Sequence, residues 1–358
     1  MMEKRQIYII AEAGVNHNGS IELAKKLVDA AAEAGADAVK FQTFKAEKNI
    51  SKKAPKADYQ LRTTETTESQ LDMVKKLELD RDAHYQLFAR SKEKKIEFLS
   101  TPFDSESVDL LVHLGVQRLK IPSGEITNGP LLLKAARSGK PVILSTGMST
   151  LGDIETALGI LAFGYMNDAQ KPGAVAFREA YASEQGGAFL KDRVILLHCT
   201  TEYPAPVTDI NLRVIDTLRS AFDLPVGLSD HSTGIVVPIA AAALGSVVIE
   251  KHFTLDRSLP GPDQGASLEP DELRDMIGAI RQVESALGSP RKVTTPSESK
   301  NLTIARKSLT AARDIAAGEL FSEENLTFKR PGNGISPVHY WDIIGTRADR
   351  DIKSDEQL

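Results

Sequence analysis

Eight short runs of apolar, mostly β-branched residues alternate along this chain with longer stretches of helical period, and that alternation restricts the fold more than any other feature. The runs are Tyr8 to Ala11, Ala38 to Gln42, Ile96 to Ser100, Arg118 to Ile121, Val142 to Ser145, Val194 to His198, Pro225 to Leu228 and Val247 to Lys251. Each is one strand long. Between them lie amphipathic segments such as Ile21 to Ala34, Ser105 to Leu114, Leu131 to Arg137, Leu151 to Ala162, Asn211 to Phe222 and Pro270 to Leu287. Eight successive βα units predict an α/β fold, a closed (β/α)8 TIM barrel over residues 1–287, rather than an open doubly wound sheet. No Gly-rich dinucleotide or Walker loop follows any of the strands, which argues against a nucleotide-binding sheet.

Two stretches interrupt the alternation. Lys45 to Ser69 is polar, and Phe163 to Arg193 mixes Gly, Pro, Asn and charge. Both read as long loops over the barrel mouth, where barrels carry their function-specific insertions. After Leu287 the composition becomes that of a linker over 288–300, and a small β-rich domain is expected over 301–358. Within it Arg313-Asp314-Ile315 and Gly318-Glu319-Leu320 are echoed by Arg350-Asp351-Ile352 and Glu356-Gln357-Leu358, a crude internal duplication.

Charge and cysteine usage exclude several classes of function. With 44 basic and 49 acidic residues the chain offers no broad cationic surface to a nucleic-acid backbone. Cys199 is the one cysteine, so no intrachain disulfide can form, and no apolar run approaches the roughly 20 residues that span a bilayer. A cytoplasmic protein, independent of membrane and nucleic acid, is expected.

In a barrel of this kind the reacting groups sit where strands end, because there the loops converge. Every strand candidate ends in polar residues: Glu12; Lys40 and Gln42; Thr101; Lys120, Ser123 and Glu125; Ser145 and Thr146; His198, Thr200 and Tyr203; Ser229, Asp230 and His231; Glu250, Lys251 and His252. His231 and His252 end adjacent strands, so their imidazoles can share one divalent cation and leave positions open for water and substrate. With Glu12 and Asp263 nearby and only one thiol, Mn2+ or Mg2+ fits better than a structural zinc. Lys40 and Lys120, with the hydroxyls of Thr101 and Ser123, form a seat for a phosphate and a carboxylate on one small molecule. A Schiff-base lysine is the competing chemistry. His84, His113 and His339 fall in helical or loop contexts and read as structural.

Together these residues resemble the bacterial sialic acid synthase family. The resemblance runs through Ile9-Ile10-Ala11-Glu12-Ala13-Gly14-Val15-Asn16-His17-Asn18-Gly19, Val39-Lys40-Phe41-Gln42-Thr43, Ser100-Thr101-Pro102-Phe103 and Lys120-Ile121-Pro122-Ser123-Gly124-Glu125. It continues through Ser145-Thr146-Gly147-Met148, Leu197-His198-Cys199-Thr200, Tyr203-Pro204, Gly227-Leu228-Ser229-Asp230-His231, Glu250-Lys251-His252-Phe253 and Gly261-Pro262-Asp263. Lys329-Arg330-Pro331-Gly332-Asn333-Gly334 resembles the antifreeze-like (SAF, β-clip) domain that ends those enzymes.

The resemblance implies a transferase that condenses phosphoenolpyruvate with an N-acylated amino sugar and water, releasing phosphate by carbon–oxygen cleavage. It implies that His231 and His252 hold the metal, Mn2+ with Mg2+ or Co2+ as substitutes. Lys40, Thr101, Lys120, Ser123 and Ser229 would bind phosphoenolpyruvate, and Gln42, Glu125, Tyr203 and Asp263 the sugar. Glu12 and Glu125 would move protons. Arg330 would reach the sugar's N-acyl group across a domain-swapped homodimer. The first expectation is N-acetylneuraminate synthase acting on N-acetylmannosamine. The alternative is N,N'-diacetyllegionaminate synthase acting on 2,4-diacetamido-2,4,6-trideoxymannose, with a pseudaminate synthase or a Schiff-base aldolase behind it. Thr201, in place of a frequent Asn, Gln264, in place of a frequent His, and the 163–193 stretch depart from the family pattern and are expected beside the sugar pocket.

Overall fold

Strands β1 (Tyr8–Gly14), β2 (Ala38–Thr43), β3 (Glu97–Pro102), β4 (Leu119–Ile121), β5 (Val142–Ser145), β6 (Val194–Cys199), β7 (Val226–Asp230) and β8 (Val248–His252) form one parallel sheet in the order β3-β2-β1-β8-β7-β6-β5-β4. Backbone ladders join every neighbour in that order, and β3 and β4 lie side by side to complete the ring. This is the expected (β/α)8 barrel. The structure, a computed structural model, describes residues 6–57, 60–61, 64, 68–167 and 169–358. The chain divides into two compact units, Met1–Gly288 and Ser289–Leu358.

The helices outside the ring form where local signals direct them. Ile21–Ala34 starts at Ser20, whose side chain accepts from the Leu23 amide, and stops at Gly35, whose φ of 86° is left-handed. It buries Ala24, Leu27, Val28, Ala31 and Ala34 on one stripe against the strands. Pro270–Leu287 carries Pro at its first turn and buries Leu273, Met276, Ile277 and Ile280 in the same way.

Side-chain direction alternates along each strand, and this sorts the polar strand ends into two sets. Ile10, Ala38, Leu99, Ile143, Leu197 and Val248 point inward and pack on one another as a layer across the ring. Two residues further along the same strands stand Glu12, Lys40, Thr101, Ser145, Cys199 and Glu250, which therefore also point inward, one level nearer the carboxyl ends. Intervening residues such as Ile9, Ala11, Val39, Phe41, Leu144 and Ile249 pack outward against the helices.

The stretch 163–193 differs from the loop expected. The helix begun at Leu151 continues to Met166, and two more helices, Ala174–Ala182 and Glu184–Arg193, precede β6. They lie on the outside of the ring, with Phe163 against Phe177 at 5.3 Å and Tyr165 against Phe189 at 6.4 Å between ring centroids. Gly159 allows this packing: a Cβ there would come within 2.8 Å of the Phe177 carbonyl oxygen. Because the segment joins a helix to the next strand, it lies at the amino ends of the strands, away from the mouth. Lys45 to Ser69 does belong to the mouth. It opens with a short helix, Ala46–Asn49; residues 58–59, 62–63 and 65–67 lie outside the described residues.

In the second unit, the last five residues of the expected linker, 296–300, are helical. Pro296–Ala305 is initiated by a capping box between Thr295 and Glu298. Strands β9 (Ser308–Ala311) and β10 (Leu326–Lys329) pair antiparallel over a small core of Ala311, Ile315, Phe321, Leu326, Ala348 and Ile352. The duplication is visible in geometry. Arg313 pairs with Glu319 and Arg350 with Glu356, each at 2.7 Å, and each glutamate also caps a backbone amide, that of Ala316 or Lys353. Asp351 accepts from the Ala317 amide while Asp314 accepts from that of Ser354, and Ile315 bridges Ile352.

Candidate active site

A cavity of about 470 Å³ opens at the carboxyl ends of the strands. Glu12, Lys40, Gln42, Thr101, Lys120, Ser123, Glu125, Tyr203, Ser229, His231, His252 and Asp263 all line it. Every barrel residue expected at a site is thus gathered around one space. Arg330 belongs to the second unit, where it is exposed just after β10.

Strand register sets the charged floor. Glu12 stands opposite Lys40 on one side and His252 on the other, and Ser229 stands opposite Glu250. The Lys40 ammonium lies 2.6 Å from Glu12 and donates to Thr101 Oγ1 at 3.1 Å. Glu250 lies 3.6 Å from Lys40 and 3.3 Å from Lys120, and accepts from Ser229 at 2.8 Å. All four charged side chains are buried. Burial opposes ionisation of Glu250, yet Lys120 and Lys40 outweigh it and hold the carboxyl at about 2. Burial lifts Glu12 to about 7, a rise that Lys40 moderates and Glu250 reinforces. Burial also lowers Lys120, with Glu250 only partly compensating, whereas Lys40 ends above its ordinary value because Glu12 and Glu250 overcome its desolvation. The cluster therefore combines a fixed anion, a fixed cation, and a carboxyl poised to exchange a proton near neutrality.

The two histidines converge as expected, with ring centroids 5.4 Å apart and Tyr203 against His231 at 4.2 Å. His231 Nδ1 is engaged by the Thr200 carbonyl oxygen at 2.7 Å, which fixes the ring. His252 Nδ1 is buried without a hydrogen-bond partner. An orphaned imidazole nitrogen beside a second, oriented imidazole is a donor set suited to a divalent cation. Among the described residues no group of three or more His, Cys, Asp or Glu could hold a metal, so water and substrate would supply the remaining positions. Asp263, raised by burial to about 6, adds a second proton-exchanging group at the rim.

Three inward-facing strand residues that line the cavity carry no role in the expected site: Ser145, Cys199 and Glu250. The inward alternation identifies all of them, since each stands two positions beyond an apolar residue of the interior layer. Conversely, several polar strand ends face outward and are structural. His198 bonds the Ile210 carbonyl, Thr43 bonds Ser100 and His84, and Lys251 lies 2.6 Å from Asp230. Of the three departures from the family pattern, only Thr201 lines the cavity, where its Oγ1 is buried without a hydrogen-bond partner. Gln264 instead braces the loop behind it, bonding Thr254 and the Asn16 carbonyl. No described residue of 163–193 lines the cavity.

Comparison with known proteins agrees with this geometry. Residues 27–292 match the NeuB family and residues 306–358 the SAF domain. The chain is 53% identical to the N,N'-diacetyllegionaminic acid synthase of Campylobacter jejuni, over 99% of both chains. It is 45% identical to the protein of that name from Legionella pneumophila, over 98% of this chain and 93% of the relative. The solved N-acetylneuraminic acid synthetase of Leptospira borgpetersenii, in complex with citrate, superposes with a TM-score of 0.66 at 36% identity, covering 83% of this chain and 90% of that one.

Proposed function

This chain belongs to the NeuB family and ends in a SAF domain, and from that premise we propose that it condenses phosphoenolpyruvate with 2,4-diacetamido-2,4,6-trideoxymannose to form N,N'-diacetyllegionaminate and phosphate. The observation that carries the chemistry is the convergence of Lys40 and Lys120 on Glu250, beside two imidazoles, in one cavity. The choice of acceptor rests on 53% identity, over 99% of both chains, to a synthase of that product. It favours the second of the two acceptors expected from sequence over N-acetylmannosamine.

Lys40 and Lys120, with Thr101 and Ser123, bind the phosphate and carboxylate of phosphoenolpyruvate, and Ser229 braces Glu250 beneath them. Glu250 offsets the repulsion between the two ammonium groups and aims both at one point, so the anion meets a site already oriented. Gln42, Glu125, Tyr203 and Asp263 surround the sugar. Glu125 accepts from Asn128 at 2.6 Å, which holds its carboxylate in place. His231 and His252 would hold a divalent cation, Mn2+ in our reading, whose chemistry when bound is Lewis acidity toward the acceptor's carbonyl oxygen. After the carbon–carbon bond forms, Glu12 accepts a proton from the water that adds at C2, a task matched to its position near neutrality. The lysines stabilise the charge on the departing phosphate.

We place the reaction in the cytoplasm and in a homodimer whose exchanged second units bring Arg330 to the partner's sugar. No helix among the described residues is long and apolar enough to cross a membrane. The test is phosphate release and mass identification of the nine-carbon acid from phosphoenolpyruvate, Mn2+ and each acceptor. Turnover of the trideoxy sugar should exceed that of N-acetylmannosamine by about tenfold or more and should stop on chelation. Faster turnover of N-acetylmannosamine would restore neuraminate as the product. The lowered Lys120 favours a second reading, a Schiff-base aldolase. A borohydride-trapped pyruvate adduct on Lys120, with indifference to chelators, would establish it.

A further inference from the structure

The active-site cavity has two unlike walls. Strand ends supply the charged floor, whereas the chain between β2 and the helix Arg81–Lys94 supplies an apolar face of Phe44, Ile50, Met73, Val74 and Leu77, completed by Phe103 and bordered by Asn49, Ser51, Gln60 and Gln70. Phe44 and Leu77 are buried against Val15 in a cluster separate from the main core. Phe44 meets Phe103 edge-on at 6.0 Å. The face is held shut by charge. Glu78 accepts from the Ala46 amide at 2.6 Å and pairs with Lys45 at 3.1 Å, and Lys75 pairs with Glu47 at 2.5 Å.

The proposed reaction orients the acceptor across this cavity, and the inference rests on that reading. Its carbonyl carbon must lie at the charged floor, where phosphoenolpyruvate and the histidines are. The far end of its carbon chain then lies against the apolar face. We propose that this face reads the sixth carbon of the acceptor, accepting a methyl and rejecting a hydroxymethyl, with Met73 and Val74 as specificity-determining residues. A methyl there removes apolar surface from water on both partners. A hydroxyl held against Met73 and Val74 loses its hydration to side-chain carbon and the Met73 sulfur, a weak acceptor.

The test uses two sugars that differ only at that carbon, 2-acetamido-2,6-dideoxymannose and N-acetylmannosamine. The wild-type protein should favour the dideoxy sugar by roughly 10- to 100-fold in kcat/KM. Met73→Gln should compress the ratio to within about threefold, and near-isosteric Val74→Thr should narrow it in the same direction, while Met73→Leu preserves it. The KM for phosphoenolpyruvate should stay within roughly twofold in all three. Equal kcat/KM for the two sugars in the wild type, or a ratio that survives both polar substitutions, would overturn the apolar reader and leave the synthase standing. Absence of turnover with every acceptor would overturn the synthase reading and the reader together.

Discussion

Glu250 and Lys251 are neighbours on β8, both charged and both buried, at 3% and 0% exposure, yet they occupy two different electrostatic regions. Lys251 points outward, where Asp230 lies 2.6 Å away and the Ser232 carbonyl also accepts from it, while Asp230 takes two further bonds from Ser232. That group is closed, with two acceptors on the ammonium and donors on both Asp230 oxygens. Glu250 points inward to a cavity, its Oε2 and the nearby His252 Nδ1 lacking hydrogen-bond partners while two lysines crowd its carboxylate. Burial of charge alone therefore does not mark a functional site. Incomplete pairing around a shared void does, because the free energy withheld in forming the fold remains available to a ligand.

Substitution on the inward side should separate activity from stability most strongly. Glu250→Gln removes the anion that orients both lysines, and we expect kcat/KM to fall about 10³-fold. Steady-state kinetics and thermal melts on one preparation check this; a large loss of stability with kinetics intact would erase the contrast. Lys251→Met should do the reverse. It leaves Asp230 buried and uncompensated, at a cost of about 3–5 kcal/mol, while the molecules that remain folded keep their kcat. Denaturant titration beside active-site-normalised kinetics measures it.

Protonation sharpens the same contrast on the satisfied side. His17 lies 6.1 Å from Phe41, accepts from the Gly19 amide through Nδ1, and is pushed by burial down to about 4. Buried His84, bonded to Thr43 and to the Asp80 carbonyl, is also lowered by burial. A folded-state pKa below the unfolded value means that the unfolded chain takes up protons first. Stability from these groups is complete above about pH 6.5 and is lost as pH falls toward 4, by up to roughly 3 kcal/mol for His17. Unfolding titrations across that window should show the slope, and His17→Asn should reduce it.

The barrel was legible because its signals are local. Short β-branched runs set all eight strands within a few residues of their observed bounds, and capping residues such as Ser20 and Gly35 set helix ends. The stretch 163–193 was misread because its Gly, Pro and Asn residues resemble a loop, while the apolar side chains that make it helical have partners, Phe163 with Phe177 and Tyr165 with Phe189, visible only once packed. The omission of Glu250 has another origin. Glu250, Lys251 and His252 are equally polar to a reader of composition, and only alternation counted from Val248 divides them into inward and outward.

By itself, then, the sequence determined the order of elements and, through period two, which side chains of each strand face the axis. Tertiary structure decided the partners. Lys40, Lys120 and Glu250 come from β2, β4 and β8, far apart along the chain, and they meet because closing a ring of tilted strands brings inward residues of one level together across the axis. Local propensity acts over a few residues, whereas this coincidence depends on the curvature and stagger of all eight strands at once.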